Sequence, residues 1–583
     1  MKFVNADVAA IFGQIADLLE VQGANTFRIR AYRNAARTIG ELDRSVADMI
    51  EAGEDLDQLP GVGPDLAGKI AEIVATGTCA QLEQLQHEMP PAITELLAIP
   101  RLGPKRVKQL NQRLGVKTVA ELLRAARAGR IRSVRGFGAK MERLIMDAAT
   151  ARVAQQRRFK LPFASHVSDA LLQELRTVPG VTQAVAAGSL RRRRDTVGDL
   201  DLLVSVERGS AVMQRFVGTP DVQEVLSKGS TRASVRLRSG VQVDLRSVAP
   251  ASFGAAWLYL TGSKAHNIAL RRRAQEMGLK LNEYGLWRGN QRVAGDTEAA
   301  VYSALGLPFI EPELREDRGE IEAAQAHALP ELVRLSDLHG DLHVHTKDSD
   351  GSDTLEAMAQ AALVRGWTYL AITDHSRRLT VAHGLDAQRL ARQIDRIDAL
   401  NARLSGLVVL KGIEVDILED GSLDLPDSVL RRLDLVIGAI HHRFDLPRER
   451  QTERLLRAID HRYFTILAHP TGRLIDERAP CDIDLPRVIR AARDRGCCLE
   501  LNADPSRLDL TDTACRMARG EGVLVSIDSD AHSALALEHL AFGVAQARRG
   551  WLRAQDVLNA RPLRKLKPLL AATMGRAARA EAA

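Results

Sequence analysis

GSLRRRRDTVGDLDLLV, residues 188–204, decides how the centre of this chain is read. In DLDLLV acids and leucines alternate, so on a strand the carboxylates of Asp199 and Asp201 share one face. Gly188 and Ser189 open a tight turn before Arg191 and Arg192, a turn suited to cradling phosphate oxygens. A third carboxylate, Asp244 in VQVDLR, sits on a separate predicted strand that can pair alongside. Such a trio suits two Mg²⁺ or Mn²⁺ ions about 3.5–4 Å apart, the arrangement that serves in-line displacement at phosphorus. Asp-x-Asp alone is common on solvated strand edges. Gly188 and Ser189 upstream, Asp244 downstream and YLTGSKAHN at 259–267 set this one apart.

From about residue 165, short β-branched runs (VTQAVAAG, ASVRLRS, VQVDLRSV) follow a helical pattern, which reads as a sheet with helices packed on it. Upstream, from Ala6 to about Ala154, apolar residues recur at helical spacing, broken by short glycine turns. Three of these turns resemble one another: LPGVG at 59–63, IPRLG at 99–103 and VRGFG at 134–138. Each precedes a basic or amphipathic helix. A turn of this kind exposes backbone N–H groups beside a positive helix end, where a phosphate oxygen can be held without reading a base. The contacts expected are Gly61, Gly63, Gly103, Lys105, Gly136 and Gly138, together with Arg101, which stands where the pattern usually has glycine. Gly-x-Gly also closes ordinary helix connections, but residues 101–160 carry 17 basic residues against three acids, a density suited to a DNA backbone.

Downstream, GLPFIEPELREDRGEIEAAQAHALPELV is acidic and Pro-containing and reads as a linker, 313–337. Beyond it, strand-like runs (DLHVH, YLAITDH, LVIGAIH, TILAHP, VLVSIDSDAH) alternate with helical segments, as in an α/β barrel. Twelve of the fifteen histidines lie in residues 301–583, most of them at the ends of those runs. His343, His345, Asp350, His375, Glu414, His441, His469, Asp530 and His532 form a set of nine N and O donors. Nine are too many for one ion and suit a cluster of two or three Mn²⁺ or Zn²⁺ ions. A single buried histidine reads as a core residue. The repetition at successive strand ends carries the metal reading. Asp374, His442 and Asp528 read as supporting groups.

Bulk properties agree with several soluble domains. The chain has 583 residues, too many for one ordinary core, and no apolar run of eighteen or more. Residues 1–300 hold 43 Lys and Arg against 31 Asp and Glu, whereas residues 301–583 hold 38 against 43, so the two halves face different tasks. The first residues carry acids and helical periodicity instead of a signal-peptide pattern, so a cytoplasmic protein without membrane association is expected. Five cysteines without paired spacing indicate neither a disulfide framework nor a zinc finger.

The set at 188–267 resembles the nucleotidyltransferase palm and thumb of family X DNA polymerases, the glycine turns resemble helix-hairpin-helix motifs, and the histidine blocks resemble the polymerase and histidinol phosphatase (PHP) domain. Together they match bacterial and archaeal family X polymerases with a C-terminal PHP domain. The resemblance implies a multidomain fold: an all-α helix-hairpin-helix region, an α+β palm and thumb, and a distorted α/β (TIM-like) barrel. The corresponding boundaries are 1–80, 81–158, 159–248, 249–312, the linker 313–337, and 338–575. It makes Asp199, Asp201 and Asp244 metal ligands, Gly188, Ser189 and Arg192 the triphosphate turn, and places Tyr259, Gly262 and Asn267 beside the incoming sugar and base. Leu260 departs from the family, where an aromatic residue often follows the tyrosine. FRIRAYRNAARTI with LPGVGPDLAGKI puts Lys69 where a Schiff-base lysine acts on abasic sugars, provided its surroundings lower its pKa. The implied activities are filling of short gaps in DNA repair with dNTPs and 3′–5′ removal of terminal nucleotides or blocks, with possible cutting at abasic sites, by a monomer on gapped or nicked duplexes. Two other readings are a DNA 3′-end phosphoesterase whose palm only seats the primer, and a repair scaffold without catalysis.

Overall fold

The computed structural model describes residues 5–40, 46–59, 61–88, 96–97, 99, 102–156, 158–206 and 211–575. It divides into two units, Met1–Arg157 and Arg158–Ala583. The described part of the first unit is helical, as its apolar spacing predicts. Helices Pro64–Thr76 and Pro104–Leu114 both begin with proline directly after glycine and end at a left-handed glycine, Gly77 and Gly115. Two separate cores form. One gathers Phe12, Leu18, Tyr32, Ile70 and Leu85, the other Leu102, Leu110, Leu122, Phe137 and Ile145. Leu82 and Leu85 of helix Ala80–Glu88 belong to the first core.

The second unit opens with a five-stranded sheet in the order Val181–Ala186, Asp199–Val206, Gln242–Val248, Arg232–Leu237, Val222–Lys228. Its two central strands run parallel and the other pairs antiparallel. Leu200, Leu202, Val204, Val243 and Leu245 are fully buried on the face covered by helix Leu161–Arg176. The alternation thus sends Leu200 and Leu202 inward and Asp199 and Asp201 to the opposite face, as its period of two requires. Helices Phe253–Thr261 and Lys264–Glu276, a three-stranded antiparallel sheet and helix Glu298–Ala304 then build a second core.

The stretch 313–337 differs from a simple linker. Leu314, Ile321, Ala324 and Leu332 join that second core, and Arg315 is fully buried, bonded to Glu298 and the Ile310 carbonyl. Two of the acids that made the segment look solvated are partnered: Glu316 forms an ion pair with Arg192, and Glu320 is hydrogen-bonded to His266, whose ring burial favours in its neutral form.

From Gly340 the strands are all parallel. Gly340–Asp341, Tyr369–Ile372 and Val408–Lys411 form one sheet. Glu414–Asp416, Ile437–Ala439, Ile466–Leu467, Cys498–Asn502 and Val525–Asp528 form another. Parallel bridges Val344 to Ala531 and His375 to Glu414 tie the two sheets at both flanks, and helices such as Leu355–Val364 and Arg448–Ile459 connect successive strands. The α/β alternation predicted from sequence is therefore present, with the strands arranged in an irregular ring.

Two candidate metal centres and a repeated backbone turn

The first centre arises from strand register. Asp201 lies directly opposite Asp244 on the parallel neighbour, and Asp199 is two residues before it on the same face. The Asp244 carboxylate is oriented by Ser234 Oγ, by Gln242 Nε2 at 3.0 Å and by Arg232 Nη2 at 3.5 Å. Ser234 stands opposite Asp244 on the next strand, a pairing that no local motif announces. Burial, then the charges of Asp199 and Asp244, pushes the Asp201 carboxyl up to about 7. Burial and then Asp244 raise Asp199 as well. Three crowded carboxylates, with Asp199 and Asp201 held above the usual carboxylate range, are a donor set completed by divalent cations, so the residues fit two hard ions.

Gly188 sits in the left-handed region at φ +61°, and a Cβ there would lie 2.1 Å from Asp201 Oδ2. Glycine is required for the turn to approach the acid. Arg192 directs its guanidinium to Glu316 and to the Thr261 carbonyl, against Gly262. Asn267 Nδ2 donates to the Tyr259 carbonyl at 2.7 Å, tying together two of the predicted substrate-side residues. Leu260 lines the depression above Asp201 and Asp244 with Arg232 and Arg246.

The second centre gathers all nine predicted donors. Three overlapping groups could each hold a cation: His345, Asp350, His375 and His532; His343, His345 and Asp530; His375, Glu414 and His441. His469 joins through Nε2, 2.9 Å from Glu414 Oε1. His343 Nε2, both ring nitrogens of His345 and Glu414 Oε2 are buried without a hydrogen-bond partner. Orphaned donors aimed at a common space fit a cluster of up to three ions. Around them, Glu500 Oε1 holds His343 Nδ1 at 2.5 Å, Asp416 holds His441 Nδ1 at 3.0 Å, and Asp374 fixes Thr346, Ser349 and Gln393. Sequence reading named Asp374 but missed Glu500 and Asp416, each an acid inside a short strand whose histidine partner is distant in the chain.

Burial drives His345 down to about 3, reinforced by His375 and His532. Burial also opposes charge on His375 and His532. For His375, Glu414 and Asp350 outweigh it, raising the ring to about 10; for His532, Asp350 and Asp530 raise it to about 9. A cation entering here must displace those protons. Mn²⁺ affinity should therefore rise between about pH 6 and pH 8 with proton release, measurable by titration calorimetry in buffers of different ionisation enthalpy. Binding without proton release would contradict this ligand set.

In the first unit the described residues of the three turns share one backbone hydrogen bond. Val62, Leu102 and Phe137 each donate their backbone N–H to the residue three earlier at 3.0 Å. These middle side chains are 3%, 1% and 4% exposed, whereas Gly61, Gly63, Gly103, Gly136 and Gly138 are exposed. One anchored apolar residue, whose burial contributes about 1.5–3 kcal/mol, holds each turn while its glycines face solvent. Lys105 is exposed in the first turn of helix Pro104–Leu114, and Arg101 lies outside the described residues. Lys69 sits beside Asp65 on the same helix face. Burial favours its neutral form, but the hydrogen bond from Lys69 to Asp65 and the nearby Tyr32 outweigh it and raise its pKa.

Family models match as follows: a helix-hairpin-helix domain at 4–79, a SAM-like helix-hairpin-helix tandem at 93–151, a DNA polymerase beta thumb at 256–316 and a PHP domain at 341–494. The chain is 37% identical to DNA polymerase/3′-5′ exonuclease PolX of Bacillus subtilis over 97% of its own length and 99% of that protein. It is 26% identical to DNA polymerase lambda of Arabidopsis thaliana, covering 54% of this chain and 62% of that one. A probable phosphatase of Thermoanaerobacter is 30% identical over 33% of this chain and 78% of its own.

Proposed function

The chain belongs to the bacterial family X DNA polymerases that carry a PHP domain, and from that premise we propose that it fills short gaps with dNTPs at the palm and removes 3′ nucleotides at the PHP centre. The observation that carries this reading is the presence of two complete donor sets in one chain: carboxylates in register on adjacent parallel strands, and nine donors converging at the PHP centre. When bound, divalent cations supply the Lewis acidity that both phosphoryl transfers need, Mg²⁺ or Mn²⁺ in the palm and Mn²⁺ or Zn²⁺ in the PHP domain.

The chain's own residues do the rest. Asp199, Asp201 and Asp244 hold the palm cations, and Ser234 and Gln242 fix the orientation of Asp244. Gly188, Ser189 and Arg192 take the triphosphate, and Tyr259, Gly262 and Asn267 border the sugar and base. The exposed glycine turns, with Lys105, grip the DNA backbone without reading sequence. In the PHP domain Glu500 and Asp416 set the ring orientations of His343 and His441. Gapped or nicked duplexes in base-excision repair, a monomeric state and a cytoplasmic setting complete the proposal; no described helix is long and apolar enough to cross a membrane. Lyase chemistry by Lys69 is not favoured while Asp65 keeps it charged.

Stripping the protein with a chelator should abolish both extension and primer shortening, and Mn²⁺ should restore both. Turnover by metal-free protein would overturn the proposal. Gly188→Ala should depress extension by more than about 100-fold, because the added methyl displaces a metal ligand and supporting changes alone typically cost 10–100-fold. Primer shortening by the same preparation should be unchanged. Normal extension by Gly188→Ala would place the triphosphate turn elsewhere.

A further inference from the structure

The palm turn that carries Ser189 and Arg192 is gripped from outside the palm. Arg192 Nε donates to Glu316 Oε1 at 3.1 Å. That oxygen is shared: Arg549, at the end of PHP helix Leu540–Arg549, donates Nη1 to it at 2.9 Å and to the Arg192 carbonyl at 2.7 Å. Arg549 is 2% exposed, and its Nη2 is fixed on Asp512 Oδ2 at 2.7 Å, which also takes Arg318 at 3.0 Å. A second tie joins the two domains nearby, Arg473 to Asp195 at 3.1 Å.

The Glu316 carboxylate thus hydrogen-bonds two guanidinium groups, with Arg194 Nη1 farther off at 3.8 Å, and one of the bonded pair is the side chain expected to meet the triphosphate. Burial pushes the Glu316 carboxyl up, but Arg192 and Arg549 outweigh it and keep it ionised. Without Arg549, turning Arg192 toward a phosphate would leave this largely buried anion with no hydrogen-bonded guanidinium and only Arg194 at 3.8 Å, which is costly. With Arg549 present, Glu316 keeps a partner when Arg192 lets go. The bond to the Arg192 carbonyl holds the backbone in place meanwhile.

We propose that Arg549, a PHP-domain residue outside both ligand sets, is a positioning residue for nucleotide binding in the palm: it neutralises Glu316 and so releases Arg192 to the triphosphate. The inference rests on the assignment of Arg192 made above. It makes the dNTP affinity of the palm depend on the docked PHP domain.

The test is single-nucleotide extension by the full chain on gapped DNA with Mn²⁺, varying dNTP. Arg549→Met should raise KM for dNTP about tenfold with kcat within about twofold, the pattern of weakened substrate binding. Primer shortening without dNTPs should be unchanged. Arg549→Lys should recover part of the loss. Adding Glu316→Gln to Arg549→Met removes the anion that captures Arg192 and should return KM to near its original value, which general damage to the fold would not allow. An unchanged KM in Arg549→Met, or a raised one that Glu316→Gln fails to restore, overturns the proposal. Arg192→Ala separates the two ideas: if its KM for dNTP does not rise, the triphosphate assignment itself fails.

Discussion

Asp201→Asn is expected to abolish nucleotide incorporation and to leave removal of 3′ nucleotides intact. Asparagine keeps the volume beneath Gly188 and the register against Asp244, but it removes the charge at the centre of the carboxylate trio. Changes to groups that merely support a metal ligand cost about 10–100-fold in affinity or activity, so loss of the ligand should lie beyond that range. Misfolding is not the expected cause. The Asp201 carboxyl is pushed up to about 7 by burial and by its two acidic neighbours, so its ionised form destabilises the metal-free fold at neutral pH. A neutral isostere relieves that repulsion, and the Tm of metal-free protein should hold or rise. Primer extension and thermal melting on one preparation check both statements. Extension within about tenfold of the unchanged protein would contradict the assignment.

The converse is expected of Glu414→Gln: primer shortening is lost and extension survives. Glu414 is the hub of the PHP centre, 2.6 Å from His375 Nδ1, 2.9 Å from His469 Nε2 and 3.2 Å from His441 Nε2. Burial alone would raise its carboxyl, but His441, His375 and His343 hold it well below the usual range. The sign for stability is therefore opposite to that of Asp201. A depressed carboxylate stabilises the fold above its unfolded pKa, so at neutral pH the metal-free Glu414→Gln protein should melt at lower temperature. Removing a shared ligand should also weaken Mn²⁺ binding beyond the 10–100-fold range of supporting groups. Loss of both activities at a temperature where the variant remains folded would show that the two centres are not chemically separate.

Much of this was legible in the chain because both centres sit on regular elements. A period of two places Asp199 and Asp201 on one face, and histidines at successive strand ends announce the second site. Register is a different matter. That Asp244 stands opposite Asp201, with Ser234 beside it, depends on how strands far apart in sequence align. Glu500 and Asp416 were hidden for a related reason: an acid in a short strand carries no local sign that a histidine 157 or 25 residues away will use it. The segment 313–337 misled through composition, since two of its acids, Glu316 and Glu320, are partners of Arg192, Arg549 and His266 rather than solvated charges. The Asp65–Lys69 pair was readable from its i, i+4 helical spacing, and it reverses the pKa shift that lyase chemistry would need.

The central claim, two separable phosphoryl-transfer centres on one chain, is tested most directly by a time course on a one-nucleotide-gapped, 5′-phosphorylated DNA with Mn²⁺, with and without dNTPs. The account predicts extension of the primer when dNTPs are present and shortening when they are absent. Shortening under both conditions, with no extension at any dNTP concentration, would contradict it and reduce the palm to a seat for the primer.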